Sequence, residues 1–241
     1  MPQQAQVSSP GRRYGESEFY VPGALSEAAR RTLRNTYLLL ACTLLPTIVG
    51  AAFGVAAPII KYVGFGWHLG IFLVGMFGLQ AMVVANRNSL AGIGWLFALT
   101  AFLGYMIGPM LAVALSFSNG VDIIAMAFAG TAGIFLVLAG YATVTRRNFA
   151  TPGIGKTLFI GLVMAVILAF ANAFLFQLPV LSLALSAIFL PICSAYIVHI
   201  INGIVRGGET NYILATMTIF IMLFNIFQSL LNLFSFFGGQ E

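Results

Sequence analysis

The stretch HIINGIVRGGETNYILAT, His199–Thr216, interrupts two apolar runs, 179–205 and 211–237, with one short polar break. At its centre, RGGETNY (Arg206–Tyr212) holds one of the six acidic residues of the chain. A helix ending at Arg206 would use Gly207 and Gly208 for the left-handed conformation that stops it. Thr210 and Asn211 are both good N-caps for the next helix, and Glu209 beside that N-terminus suits the helix dipole. The stretch therefore reads as a tight hairpin between two helices, with a contact surface for a partner as the other reading.

Working outward, apolar runs of this kind recur over the whole chain from Leu33. They cover approximately 33–57, 65–86, 90–117, 122–145, 155–177, 179–205 and 211–237. Each has about the 20 residues a helix needs to cross roughly 30 Å of hydrocarbon. Of the 241 residues 60% are hydrophobic and only 7% charged, with a mean hydropathy of +1.00. Soluble domains carry about 25% charged residues, so the chain is expected to be an all-α integral membrane protein of seven transmembrane helices. Barrel strands would alternate polar and apolar residues, and these runs do not. In APIIKYVGFGWH, Ala57–His68, the second boundary is soft; Pro58, Lys61, Tyr62 and Trp67 favour a turn near the membrane surface.

Residues 1–28 are polar, contain Gly and Pro, and lack the apolar core of a signal peptide. They are expected to form a flexible cytoplasmic tail ahead of a seven-helix domain, 29–241. With the N-terminus inside, ten of the eleven Lys and Arg residues fall on the cytoplasmic side, and only Lys61 falls outside. The C-terminus at Glu241 is then external. The net charge of +5 accordingly reports topology, and nucleic acid is not an expected partner.

Gly50 and Gly54 in the first helix, and Gly104 and Gly108 in the third, have the four-residue spacing that lets backbones approach closely in lipid. Pro109 after Gly108 predicts a kink or break in the third helix, and Pro46 and Pro191 add possible kinks in the first and sixth. ATPGIGKT, Ala150–Thr157, resembles a phosphate-binding loop, but Ala150 stands where that pattern needs glycine and no buried strand precedes it. No hydrolase motif is present, and Cys42 and Cys193 belong to no metal-ligand spacing. The chain is expected to be neither an enzyme nor a holder of a metal or cofactor.

Asp122 begins the fourth run at its outer face and His68 lies beside Trp67 at the outer interface; no carboxylate lies deeper in a span, which leaves His199 as the titratable candidate inside the membrane. Asn172, Asn202 and Asn225 are candidate intramembrane hydrogen-bonding groups, and Asn202 shares a helix face with His199 three residues away. His199 reads either as a neutral imidazole satisfied by a neighbouring helix or water, or as a proton-sensitive group.

RTLRNTYLLLACTL in the first helix, AFLGYMIGPML in the third, VDIIAMAFAGTA entering the fourth, and GGETNYILAT leading into FNIFQSLL in the seventh occur in this order. Together, from about Leu33 to Leu233, they resemble the Bax inhibitor-1 family, in particular its bacterial YccA-like branch. The resemblance implies a seven-helix bundle with helix seven at its centre, in the bacterial inner membrane, without enzymatic activity. YccA-like members are modulators and substrates of the FtsH membrane protease, which pulls on a cytoplasmic tail; the tail here would suit such a handle. Other members act as pH-sensitive calcium leaks gated by a carboxylate pair. Aligned on GGETNY and FNIF, the pair would fall at Ile200 and Met222, both apolar here. Calcium wants several oxygen ligands, carboxylates foremost, so a carboxylate gate of that type is not expected. Two functions follow, a modulator of membrane proteolysis and, as the alternative, a calcium or proton leak lacking the acidic pair.

Overall fold

The structure, a computed structural model, describes residues 25–238, and residues 1–24 of the expected tail lie outside it. Seven long helices follow one another: α1 Glu27–Ala56, α2 Ile60–Ala85, α3 Leu90–Leu115, α4 Gly120–Val144, α5 Pro152–Ala171, α6 Pro179–Val205 and α7 Tyr212–Gly238. Each contains a stretch long and apolar enough to cross a bilayer. The helix that begins at residue 27 starts within the interval assigned to the tail. Ser26 caps it, its Oγ accepting from Ala29 N at 3.1 Å, and Glu27 lies in its first turn. The first turns of α1 are thus helical although their arginines are too polar for the hydrocarbon.

The soft boundary at residues 57–68 resolves into both readings. One helical turn starts at Ile60, Gly64 interrupts it at φ 75°, and the membrane-spanning stretch is Gly66–Ala85. At the far end of α5 the chain widens into a π-helical turn, Asn172–Phe176, and Gln177 turns left-handed at φ 50°.

Helix α7 is the centre of the bundle. Within its apolar window 61% of residues are buried, against at most 39% for any other span. It packs on α6, α4 and α1, and more lightly on α3 and α2. A helix that touches protein on most sides can keep Thr216 and Ser229 buried among its neighbours, as an interior position allows. Spans α2 and α5 lie outermost, with 6% and 11% of their windows buried.

The seam between α1 and α3 rests on four glycines. A Cβ at Gly50 would overlap the Ala101 carbonyl oxygen, and one at Gly104 the Thr47 carbonyl oxygen. Side chains at Gly54 and Gly108 would run into the Tyr105 carbonyl and the Gly54 backbone, respectively. The backbones are therefore in direct contact, as small residues permit in lipid.

Of the kink or break expected at Gly108 and Pro109, a break does not occur: α3 is one helix from Leu90 to Leu115. Pro109 has no N–H to give the carbonyl of Tyr105, four residues earlier. That oxygen lies against Gly54 of α1 instead, the approach of a Cα–H···O contact between close helices. The Tyr105 hydroxyl adds a second tie, donating to Ala57 O at 2.8 Å and accepting from Ile59 N at 3.1 Å. Pro46 and Pro191 likewise lie inside uninterrupted helices.

Candidate functional site

The polar side chains at the end of α6 converge on the connection between α4 and α5, residues 145–151. His199, Asn202 and Arg206 are spaced three and four residues apart and so line one face of the helix. Asn202 is fully buried. Its Oδ1 accepts from Phe149 N at 2.9 Å and from Arg206 Nε at 3.0 Å, while its Nδ2 donates to Ala142 O at 3.2 Å. His199 Nδ1 lies 2.6 Å from Phe149 O, so this nitrogen carries a proton and donates it. Phe149 is consequently held by both its backbone groups, the N–H by Asn202 and the carbonyl by His199.

Two neighbours fix the imidazole in place. Tyr196 meets it edge to face at 5.9 Å. On the other side is α5, where a Cβ at Gly155 would come within 2.6 Å of Nε2. Arg206 completes the grip, its Nη2 donating to Arg146 O at 2.8 Å.

The hairpin after α6 closes by local chemistry. Gly207 has φ 73°; its N–H donates to Ile204 O at 3.0 Å, and Gly208 N donates to Gly203 O at 2.9 Å. This pairing satisfies the last carbonyls of the helix. Gly208, expected to share the left-handed role, does not take a positive φ. Asn211 rather than Thr210 caps α7, its Oδ1 accepting from Ile213 N and Leu214 N, both at 3.1 Å. Glu209 accepts from Asn211 N at 2.8 Å, holding that cap in position.

The amide nitrogen of Asn211 reaches further. It donates to Arg87 O at 3.0 Å and to Asn88 Oδ1 at 2.9 Å, in the connection between α2 and α3. The seven-residue hairpin thereby ties together the other two connections at its end of the bundle, one through Arg206 and one through Asn211. The same end carries Arg30, Arg31, Arg34, Arg87, Arg146, Arg147 and Lys156 on the helix termini and loops. An exposed Arg31–Glu27 pair at 3.7 Å contributes at most about 1 kcal/mol there.

The other sequence candidates do not join His199. Asn172 closes the π turn at the opposite end, accepting from Leu178 N at 3.1 Å and donating to Ser182 Oγ at 2.8 Å and Leu178 O at 3.3 Å. Asn232 donates nearby, to Ser186 Oγ at 2.9 Å. From Ser182 to His199 is about 25 Å along the helix. Asn225 donates to Ile221 O of its own helix at 2.8 Å. Ile200 is half-buried, and Met222, 4% exposed, belongs to the apolar core. No group of three His, Cys, Asp or Glu side chains converges among the described residues.

Sequence reading missed Arg206 as a partner of Asn202, although their four-residue spacing on one helix was a usable signal. Phe149, Ser182, Ser186 and Asn232 carried no comparable one. Arg206→Lys is expected to lose both the Asn202 and the Arg146 contacts, because an ammonium cannot replace the planar guanidinium fork. The cost is about 1 kcal/mol, seen as faster amide hydrogen exchange at residues 146–150 with exchange in α7 unchanged.

The family described as "Inhibitor of apoptosis-promoting Bax1" matches residues 29–239, from the first turn of α1 to the end of α7. The chain belongs to the Bax inhibitor-1 family. Among its relatives is "Modulator of FtsH protease YccA" of Escherichia coli (strain K12), 41% identical over 209 residues, 87% of this chain and 91% of that protein. "Inner membrane protein YccA" of Escherichia coli O6:H1 matches with the same figures. An uncharacterized protein of Pseudomonas aeruginosa is 36% identical over 94% of this chain and 99% of its own length. This Bax inhibitor-1 family member is thus a YccA-like integral membrane protein with a central seventh helix.

Proposed function

We propose that this YccA-like protein is a non-enzymatic modulator, and a substrate, of an FtsH-type membrane protease in the bacterial inner membrane. The observation that carries this is the 41% identity, over nearly the whole of both chains, to a protein named as a modulator of that protease. The distribution of basic residues supports an N-terminus in the cytoplasm and a C-terminus on the periplasmic side. The cluster around Arg206 and Asn211 then faces the cytoplasm and holds its connecting loops in one arrangement.

The leak reading has less support. The positions at which the family resemblance puts carboxylates carry Ile200 and Met222, and Met222 is packed in the core. The polar groups of α6 form two clusters, with about 20 Å of helix between Ser186 and His199.

The test is turnover in cells that contain or lack the protease, for the whole chain and for one without residues 2–24, which keeps the Ser26 cap. The expected result is protease-dependent turnover that slows on deletion, with slower loss of other membrane substrates when the truncated chain accumulates. Equal turnover in both strains would sink the reading. Calcium or proton flux in liposomes that exceeds empty vesicles and disappears in His199→Phe would replace it with the leak.

A further inference from the structure

The end of the bundle that the hairpin ties together is strongly basic. Among the described residues it carries eight Lys and Arg side chains against two carboxylates, Glu27 and Glu209. Both carboxylates are engaged, Glu27 with Arg31 at 3.7 Å and Glu209 with the Asn211 N–H at 2.8 Å. The guanidinium groups of Arg30, Arg34, Arg87, Arg146 and Arg147 are exposed and form no ion pair or hydrogen bond with a described residue.

Contacts deeper in the bundle set these residues side by side. Thr216 Oγ1 of α7 lies 3.3 Å from Thr36 O of α1, which puts Arg34 and Arg30 beside the hairpin that precedes α7. Arg146 and Arg87 are joined to the same hairpin, through Arg206 Nη2 and Asn211 Nδ2. Tyr37 of α1 meets Phe135 of α4 edge to face at 5.9 Å. Ser26 stands eleven residues back from that contact along α1, and Arg146 eleven residues on from it beyond α4. Each is about 16 Å away at the α-helical rise, so the start of α1 and the α4–α5 connection end level. Both helices pack on α7, so the two ends are at most two helix spacings apart, about 16–20 Å.

Charge and reach select the chain's own N-terminal segment as the partner of this face. Leu25, packed against the core, and the Ser26 cap fix the point at which residues 1–24 join the bundle, and it is at this end. That segment contains YGESEFY, Tyr14–Tyr20, with Glu16 and Glu18 and no cation. In an extended chain alternate residues share a side, so Tyr14, Glu16, Glu18 and Tyr20 would form one edge, two carboxylates between two phenol rings. Arginine binds both kinds of group, the carboxylate with its planar fork and the ring by stacking on its face. Seven residues separate Leu25 from Glu18, a reach of up to about 25 Å, which covers the distance to Arg146. An anionic lipid headgroup offers charge without the rings. A segment joined through so few residues also stands at an effective concentration in the millimolar range.

We propose that Tyr14–Tyr20 folds back onto this basic face, with Glu16 and Glu18 against Arg146 and Arg147. On the protease reading, from which only this consequence is taken, the contact withholds part of the handle.

The test uses the whole protein in phosphatidylcholine vesicles, with p-benzoylphenylalanine in place of Phe19 as a photo-crosslinker. Adducts are mapped by peptide mass spectrometry. They are expected on residues 27–34 and 145–151. Their yield is expected to fall about fivefold from about 0.05 to about 0.5 M salt, as the screening length shortens from roughly 14 to roughly 4 Å. Glu16→Lys with Glu18→Lys is expected to cause the same fall at low salt, as is Arg146→Glu with Arg147→Glu. All four changes together are expected to restore the yield. Arg146 gives the Arg206 grip only its carbonyl, so the grip survives these changes. The tail reversal leaves the bundle untouched and decides the question should the arginine variant not fold.

Adducts without preference among the segments at this end overturn the proposal, as does a yield indifferent to the tail reversal. A folded fourfold variant that does not restore the yield overturns the pairing with Arg146 and Arg147. Adducts joining heavy- and light-isotope copies mixed in one vesicle would show a contact between two molecules instead. The yield is expected to survive replacement of about a third of the lipid by phosphatidylglycerol, and its loss there would show that anionic lipid takes the face. No protease is present, so this result and the turnover result stand or fall separately.

Discussion

Asn202→Leu is expected to lower the unfolding temperature of the detergent-solubilised protein by about 6–12 °C, at roughly 2–4 °C per kcal/mol for a chain of this size. Leucine is close to asparagine in size, so the loss is one of hydrogen bonds. Three bonds at the average of about 0.6 kcal/mol measured in membrane bundles put the floor near 2 kcal/mol. The Ala142 carbonyl and the Phe149 N–H lose their side-chain partner together, and a buried polar group left unpaired costs about 1–3 kcal/mol. Ala142 is fully buried, whereas Phe149 is half-buried and can recruit water, so the sum settles near 3 kcal/mol. Asn225→Leu is the control. Its amide bonds only to a carbonyl of its own helix, and its loss is expected to cost below about 1 kcal/mol. Unfolding curves for the two variants check the assignment, and an equal fall in both would show that the grip on Phe149 is not stabilising.

Gly108→Leu is expected to prevent accumulation of the folded protein. Its Cβ alone would sit inside the Gly54 backbone, so α1 and α3 would have to separate along the most extensive helix contact of the bundle. Replacing glycine in a helix recovers at most about 1 kcal/mol of propensity. Separating the seam costs about 4 kcal/mol or more, in the range reserved for gross packing defects. Gly66→Leu in α2 makes the comparison internal. No atom lies within 4 Å of a Cβ there, so this variant is expected to reach wild-type levels in the membrane. Membrane-fraction yield and size-exclusion profile distinguish the two. Wild-type yield of a monodisperse Gly108→Leu protein would contradict the close seam.

The number of spans, their approximate ends and the hairpin at Gly207 were legible in the sequence because each depends on local chemistry. Apolar runs of bilayer length, a glycine after a last helical turn and an asparagine before a first one act within a few residues of themselves. The glycine spacing in α1 and α3 belongs to the same class. The central place of α7 entered through family resemblance; the length and hydropathy of its run would suit an outer span equally well.

What the sequence could not decide was which distant groups meet. Pro109 predicts a kink or break when its helix is considered alone; that the carbonyl of Tyr105 it leaves free lies against the backbone of Gly54, fifty-five residues earlier, is visible only in the packed bundle. His199, Asn172 and Asn225 share a hydropathy environment but not a depth, and only Asn202 stands beside the histidine. That His199 and Asn202 grip one peptide unit of the α4–α5 connection is a property of tertiary packing. Sequence spacing sets the face of a helix on which a side chain lies, whereas its partner is set by the rotation and depth at which the neighbouring helices pack.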